Sequence, residues 1–186
     1  MERRLFVSID LPDELAEAVA KVQAEFEDAS GLSFTDPEQA HVTLKFLGDT
    51  PEARIGPLVE ELRGAVDDAD VDPFEATYVG LGVFPSPEYI SVVWLGVEAG
   101  GAEMTSLQAA IEDRTTGMGF DPADHEFTPH VTLARMNHAG GKDLVQRVVR
   151  EQDPTVGTAA VEAVSLTESE LRSDGPEYST VERFPL

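Results

Sequence analysis

Hydrophobic residues recur along the chain with two different spacings, one typical of strands and one typical of helices, and these spacings predict strands and helices that follow one another. Stretches that alternate every second residue, rich in Val, Ile, Leu and Phe, are typical of half-buried strands. The residues between two of these stretches, 82–87 (GVFPSP), predict a hairpin and therefore antiparallel neighbours. The predicted strands are residues 4–10, 40–47, 74–81, 89–97, 130–135, 160–166 and 178–184.

Apolar residues spaced by three and four predict four helices between these strands. Pro12 and Pro51 suit the first turn of a helix, Gly117 ends the third helix, and residues 67–72 predict an acidic turn. The apolar stripes are Leu15, Val19, Val22 and Phe26; Ile55, Leu58, Val59, Leu62 and Val66; Met104, Leu107 and Ile111; Leu144, Val145, Val148 and Val149. With hairpin-joined strands and no linker, we expect an antiparallel α+β fold in a single domain, 1–186.

One tetrapeptide, HVTL, occurs at residues 41–44 and again at 130–133. Any given histidine is followed by Val-Thr-Leu by chance on the order of once in a thousand. The chain has only four histidines, and two of them carry the motif. Outside the motif the two halves match poorly, so an internal duplication is suggested but not established.

Alternation along a strand divides each motif between two faces. His41 and Thr43 share one face, as do His130 and Thr132, while the Val and Leu residues point to the other face. Each motif therefore pairs an imidazole with a hydroxyl and directs two aliphatic side chains inward. If the two strands meet across a cleft, the cleft contains two histidines and two threonines.

Two imidazoles suit concerted acid–base catalysis, because one can be neutral and the other protonated near neutral pH. One imidazole would remove a proton from an attacking water or hydroxyl, and the other would protonate the leaving oxygen. The threonine hydroxyls can bond the oxygens on which negative charge gathers. An in-line displacement at phosphorus fits this arrangement and needs no metal, and we expect no metal and no cofactor. The residues alone leave open which histidine is the acid.

Other polar and aromatic residues near the motifs have two interpretations each. Arg135 suits a phosphate ligand or a surface ion pair, and alternation alone puts it on the wrong face unless the strand bends. Lys45 has the parity of His41, so it is either a contact for an anionic substrate or, more simply, solvated. We expect His125 and His138 to face solvent. Three aromatic residues either stack on a base or belong to the core: Phe84, Trp94 and Phe127.

The chain is strongly acidic, with 36 Asp and Glu against 13 Lys and Arg and a net charge of −23. Its 41% hydrophobic content is too high for a disordered acidic segment. In molar salt the Debye length is about 3 Å, so self-repulsion is screened. We interpret the imbalance as adaptation to a high-salt cytoplasm; an ordinary acidic protein is the alternative. The same screening means that the charge does not exclude a nucleic-acid substrate.

The absence of Cys excludes disulfides and thiolate chemistry. The N-terminal apolar run breaks at Asp10, so it is not a signal peptide, and no run approaches a membrane span. We therefore expect a soluble, cytoplasmic monomer that does not associate with membranes.

Several stretches together resemble the two-histidine phosphoesterase superfamily, and within it the RNA 2′,3′-cyclic phosphodiesterases first described as 2′-5′ RNA ligases. The two motif blocks, HVTLKFLG at 41–48 and FTPHVTLAR at 127–135, are the specific part of the resemblance. The resemblance covers nearly the whole chain, and His125 departs from it, since the family often carries arginine there. The supporting stretches are residues 4–12, 80–85, 166–171, 175–178 and 184–186.

The resemblance implies a bilobal α+β fold in which two antiparallel sheets flank a central cleft with pseudo-twofold symmetry. It also implies that His41 is the proton donor to the leaving 3′ oxygen and His130 the base that activates water. Thr43 and Thr132 would hold the phosphate. The implied activity is metal-independent hydrolysis of RNA 2′,3′-cyclic phosphate ends to 2′-phosphomonoesters.

Three functions stay open at this point. Besides hydrolysis of RNA ends, the chain fits 2′-5′ ligation or the opening of a small cyclic nucleotide. From another class, it fits a non-catalytic module that binds RNA or nucleotides. The two proton-transfer groups favour an enzyme, because binding alone does not require them.

Overall fold

The computed structural model describes residues 1–186 as nine strands, four α-helices and two short 3-10 turns. The strands are β1 (Glu2–Asp10), β2 (Leu32–Phe34), β3 (His41–Pro51), β4 (Phe74–Pro85), β5 (Ile90–Val97), β6 (His130–Met136), β7 (Thr155–Val161), β8 (Ala163–Arg172) and β9 (Gly175–Pro185). The helices are α1 (Ala16–Ala24), α2 (Glu52–Ala69), α3 (Gly101–Gly117) and α4 (Lys142–Glu151). None of the helices combines the length and the apolar character needed to cross a membrane.

All strands belong to one antiparallel sheet, in the order β7-β4-β5-β6-β3-β1-β8-β9, with β2 added beside β6. At its centre β3 and β6 are joined by a single Cα pair, Val42 with Val131. We call β3-β1-β8-β9 the first lobe and β7-β4-β5-β6 the second lobe. The α+β class and the antiparallel lobes are confirmed, and the two sheets implied by the resemblance are continuous through this one pair.

The motif residues predicted to point inward do so. Val42, Leu44, Val131 and Leu133 are at most 3% exposed, and they belong to one contiguous hydrophobic core that also takes up the inner faces of the helices. Because the inward pairs are fixed in that core, the histidines and threonines must lie on the other face of the sheet.

The prediction of one strand over residues 160–166 is wrong. The chain breaks pairing at Glu162, so that β7 ends at Val161 and β8 begins at Ala163. β7 pairs with β4 in the second lobe, whereas β8 pairs with β1 in the first lobe. Alternation along a strand indicates which side chains are half-buried but not which strand lies beside them. The hydrophobic pattern therefore could not predict that the chain crosses from the second lobe to the first at Glu162.

Several predicted boundaries are also wrong. Strand β4 continues to Pro85, so it takes up residues 82–85 of the predicted connection. Strand β3 continues through Gly48 to Pro51, because the long strand β1 offers partners as far as the Glu2–Pro51 pair. Helix α2 continues through the first part of the predicted acidic turn and ends where Asp70 adopts a left-handed conformation, with φ of 51°. The short strand β2 was not predicted, since three residues carry no readable period.

Candidate active site

The structure brings the two motifs together at the centre of the sheet. The two motif strands pair at Val42 with Val131, which follow directly after His41 and His130. The two histidines and the two threonines of the motifs are all half-buried, on the face opposite the core. Each motif therefore presents its imidazole and its hydroxyl next to the junction of the two lobes, on a face of the sheet that we call the cleft.

A backbone carbonyl two residues earlier orients each imidazole. His41 Nδ1 donates to the carbonyl of Gln39 at 2.9 Å, and His130 Nδ1 donates to the carbonyl of Thr128 at 2.6 Å. A carbonyl only accepts, so Nδ1 must carry the proton in both rings. The other ring nitrogen, Nε2, is then free to accept or donate a proton in the cleft.

Aromatic side chains flank both histidines. In the first lobe the ring of His41 lies 5.0 Å from that of Phe6 and 5.3 Å from that of Tyr178. The Gln39 side chain holds this wall in place, since its Oε1 accepts from the backbone N–H of Tyr178 at 2.9 Å. The cleft is thus bordered by apolar surface next to its polar centre.

The second lobe has the equivalent wall, in which Phe84 lies 5.0 Å and Trp94 5.9 Å from the ring of His130. The indole lies flat against Gly82, where a Cβ atom would come within 2.1 Å of Trp94 Cζ2. Phe84 and Trp94 therefore belong to the cleft, whereas Phe127, the third aromatic considered from the sequence, packs against the core.

Both motifs contain a β-bulge at their leucine. The register jumps from Val7–Lys45 to Ser8–Thr43 in β3, and from Val93–Ala134 to Trp94–Thr132 in β6. Each bulge adds one residue and so reverses the alternation that follows it. As a result the two six-residue stretches, 41–46 and 130–135, share one burial pattern in which the fourth and fifth residues are buried and the sixth is exposed.

The bulge in β6 decides the position of Arg135. It returns Arg135 to the face of His130, which simple alternation does not allow. Burial lowers the pKa of His41 and of His130, and the positive charge of Arg135 lies close enough to lower both further; burial raises the pKa of Tyr178, and Arg135 opposes this. The buried carbonyl of Leu133, at the bulge itself, is satisfied by Gln23 Nε2 at 3.0 Å and by the N–H of Thr35 at 3.0 Å.

The bulge in β3 removes Lys45 from the cleft, so neither expectation for this residue, a substrate contact or a solvated side chain, is correct. Lys45 is 5% exposed. Its Nζ lies 2.5 Å from Glu112 Oε1 of α3 and 2.6 Å from the carbonyl of Asp121. Glu112 also accepts from the N–H of Ala123 at 2.7 Å. Lys45 thus fastens the loop that leads to the second motif.

The two histidines differ in their electrostatic surroundings. Burial lowers the pKa of both imidazoles below the usual 6.5, and the bonded carbonyls oppose this only in part. The Asp10 carboxylate acts in the opposite direction on the pKa of His41. For His130 every nearby charge lowers the pKa further, namely those of His125, Arg135 and His41.

The remaining candidates lie outside the cleft. His125 and His138 are exposed, as predicted. The side chains of His, Asp and Glu form no group of three or more that could hold a metal ion. Sequence reasoning did not single out Phe6, Asp10, Gln39 or Tyr178 as parts of the site. Of these, Phe6, Asp10 and Tyr178 fall in stretches that carry the family resemblance, but no pattern in the sequence directs them to His41.

Comparison with known proteins shows the family of the chain. The sequence profile described as the 2′-5′ RNA ligase superfamily matches residues 11–172. The chain is 36% identical over 188 residues, covering 100% of both chains, to a Methanothermobacter thermautotrophicus protein named RNA 2′,3′-cyclic phosphodiesterase. The chain therefore belongs to the 2′-5′ RNA ligase superfamily.

Solved structures share the fold. The crystal structure of TT0787 from Thermus thermophilus matches with a TM-score of 0.80 and 29% identity, covering 98% of this chain and 97% of that one. The crystal structure of E. coli LigT complexed with 3′-AMP matches with a TM-score of 0.82 at 24% identity, covering 100% and 99%. The chain thus shares its bilobal α+β architecture with these two solved structures.

Proposed function

We propose that the protein hydrolyses the 2′,3′-cyclic phosphodiester at RNA ends to a 2′-phosphomonoester without a metal, and that residues 1–186 form a single catalytic domain. The observation that carries the proposal is the symmetric centre of the cleft. There, each histidine lies one residue before the Val42–Val131 junction of the two lobes, with its Nδ1 held by a carbonyl and its Nε2 free. The names of the curated relatives support the choice of a cyclic phosphodiester as substrate.

The reaction requires one neutral imidazole and one protonated imidazole. His130 Nε2 accepts a proton from water as the water oxygen attacks phosphorus. The bond from phosphorus to the 3′ oxygen breaks, and His41 Nε2–H donates its proton to that oxygen, which leaves a 2′-phosphate. The positive charges near His130 favour its neutral form and support its assignment as the base.

Three further side chains would bind the phosphate. The hydroxyls of Thr43 and Thr132 would donate to its non-bridging oxygens, on which charge develops in the transition state. Arg135, returned to the cleft by its bulge, would offer a planar guanidinium that pairs with two phosphate oxygens. Together with the imidazoles they would surround one phosphate from both lobes.

The test is hydrolysis of an oligonucleotide that ends in a 2′,3′-cyclic phosphate, in molar KCl with EDTA. We expect turnover to a 2′-phosphate in the wild type, and a loss of at least about 100-fold in His41→Ala and in His130→Ala. His138→Ala, which removes an exposed histidine outside the cleft, is the matched control and should retain full activity. Wild-type protein without turnover, or equal activity in all variants, contradicts the proposal.

The same preparation distinguishes the alternatives raised by the sequence. Formation of 2′-5′ bonds from cyclic-phosphate and 5′-hydroxyl ends would indicate ligation, in which an RNA 5′-hydroxyl replaces water as the nucleophile at phosphorus and the 3′ oxygen again leaves. Turnover of small cyclic nucleotides without turnover of RNA ends would assign the cleft to those substrates. Tight binding of RNA without turnover of any substrate would indicate a binding module.

We also propose that the protein works in a high-salt cytoplasm, as a monomer. The net charge of −23 supports this, because screening at molar salt relieves the repulsion within such a surface. Unfolding by urea at increasing KCl should show stability rising with salt, and greater stability at low KCl contradicts the proposal. Sedimentation in molar KCl should give the mass of one chain, 20.1 kDa.

A further inference from the structure

Asp10, the last residue of β1, lies directly beside His41 on the face of the cleft. Asp10 and His41 are Cα partners in the antiparallel pair of β1 and β3. Phe6, Ser8 and Asp10 alternate onto one face of β1, and the Phe6 ring packs at 5.0 Å from the ring of His41. The Asp10 carboxylate is therefore on the same face as the imidazole. It borders a cavity of about 220 Å³ that Gln39 and Tyr178 also line.

Two buried hydroxyls orient this carboxylate. Ser8 Oγ donates to Asp10 Oδ1 at 2.9 Å, and it lies 3.1 Å from Thr167 Oγ1. Ser8 is 0% exposed and Thr167 is 4% exposed. A serine hydroxyl has one proton, and that proton goes to the carboxylate, so Thr167 must be the donor to Ser8. The chain of hydroxyls thus directs two successive donors toward an acceptor at Asp10.

The charged and titratable groups around His41 come from three elements. Asp10 faces it from β1, Tyr178 from β9, and Arg135 and His130 from β6. Among them Asp10 is the one carboxyl group. Nδ1 of His41 is already bonded to the Gln39 carbonyl, so Asp10 acts on the ring through space.

His130 has no equivalent carboxylate. Its Cα partner on the neighbouring strand is Gly96, which has no side chain, and the charges that act on it are positive. The lobes are therefore alike in fold and in backbone hydrogen bonding but differ in charge beside the two imidazoles. This asymmetry, unlike the motif itself, distinguishes an acid from a base.

We propose that Asp10 is a positioning residue that favours the imidazolium form of His41 over that of His130, so that His41 is the acid and His130 the base. The proposal rests on the proposed function for its catalytic meaning. Asp10 acts through His41 and does not touch the substrate. Ser8 and Thr167 serve the same end by keeping the carboxylate directed along the sheet.

The experiment is an NMR titration of the histidine ring protons in the wild type and in Asp10→Asn, in molar KCl. The amide has the shape of the carboxylate without its charge, and because Asp10 is exposed we expect the variant to fold. We expect the pKa of His41 to fall by roughly half a unit, a Coulomb effect between neighbouring strands that salt and water partly screen. The alkaline limb of the kcat/KM profile should move by the same amount.

Asp13→Asn is the matched control, because Asp13 borders the same cavity but does not pair with His41. It should move neither the titration nor the pH profile. Ser8→Ala should give a smaller shift than Asp10→Asn and in the same direction. A His41 titration that is unchanged in Asp10→Asn, or is shifted equally in Asp13→Asn, overturns the proposal. The titration needs no turnover, so an inactive wild type refutes the proposed function while leaving this inference separately tested.

Discussion

Lys45→Met tests whether the charge of Lys45 fastens the loop before the second motif. Methionine has a similar length and no charge, so the variant removes the bonds from Nζ to Glu112 and to the Asp121 carbonyl with little change in packing. Glu112 then keeps only the N–H of Ala123. The substitution leaves a partly buried carboxylate without a counter-charge.

The expected loss follows from the burial of the two partners. The Lys45 side chain is 4% exposed and that of Glu112 is 23% exposed. Removing one partner of a buried ion pair costs about 3–5 kcal/mol, and water that reaches Glu112 places this case at about 3 kcal/mol. Such a loss is a large part of the roughly 5–15 kcal/mol that stabilises a typical domain.

Lys21→Met is the control, because Lys21 pairs with Glu17 on α1 with 77% and 85% of the side chains exposed. That change should cost no more than about 0.5 kcal/mol. Urea unfolding at constant KCl measures both variants. Adding Glu112→Gln to Lys45→Met should recover part of the loss, since the amide removes the unpaired charge and still accepts from Ala123. Equal midpoints for Lys45→Met and Lys21→Met would refute the assignment of the stability to this buried pair.

Three further predictions concern the cleft. Arg135→Ala should raise KM for a cyclic-phosphate oligonucleotide about 10- to 100-fold by steady-state kinetics, because it removes charge-assisted bonds to phosphate, whereas an unchanged KM would place Arg135 outside the substrate site. Gly82→Ala should destabilise the protein by about 1–3 kcal/mol and lower activity, because its Cβ would lie 2.1 Å from Trp94 Cζ2; Gly101→Ala, where nothing lies within 4 Å, is the control in the same unfolding assay. Because burial lowers the pKa of both histidines below 6.5, the bell-shaped profile of kcat/KM against pH should peak below pH 6.5. The profile of kcat should lie at higher pH, since the bound phosphate anion favours the imidazolium form. A flat profile from pH 5 to 9 contradicts two-histidine catalysis.

Much of the cleft could be predicted from local sequence because strand alternation needs only neighbouring residues. The repeated HVTL, read with a period of two, placed Val and Leu in the core and His and Thr on the other face, and the structure agrees at all eight positions. The α+β class followed in the same way from the interleaved periods and from the hairpin before β5. These features depend on side-chain direction along one element, which the chain carries within a few residues.

What only the tertiary structure decided depends on pairing between distant segments. A bulge exists only relative to a partner strand, so the sequence could not show that Lys45 turns into the core and Arg135 into the cleft. Likewise Asp10 and Tyr178 reach His41 because β1 and β9 belong to its lobe, and the split at Glu162 exists because β7 and β8 join different lobes of the sheet. The sequence by itself therefore determined which motif residues face away from the core, whereas long-range strand pairing determined which of them meet and in what electrostatic surroundings.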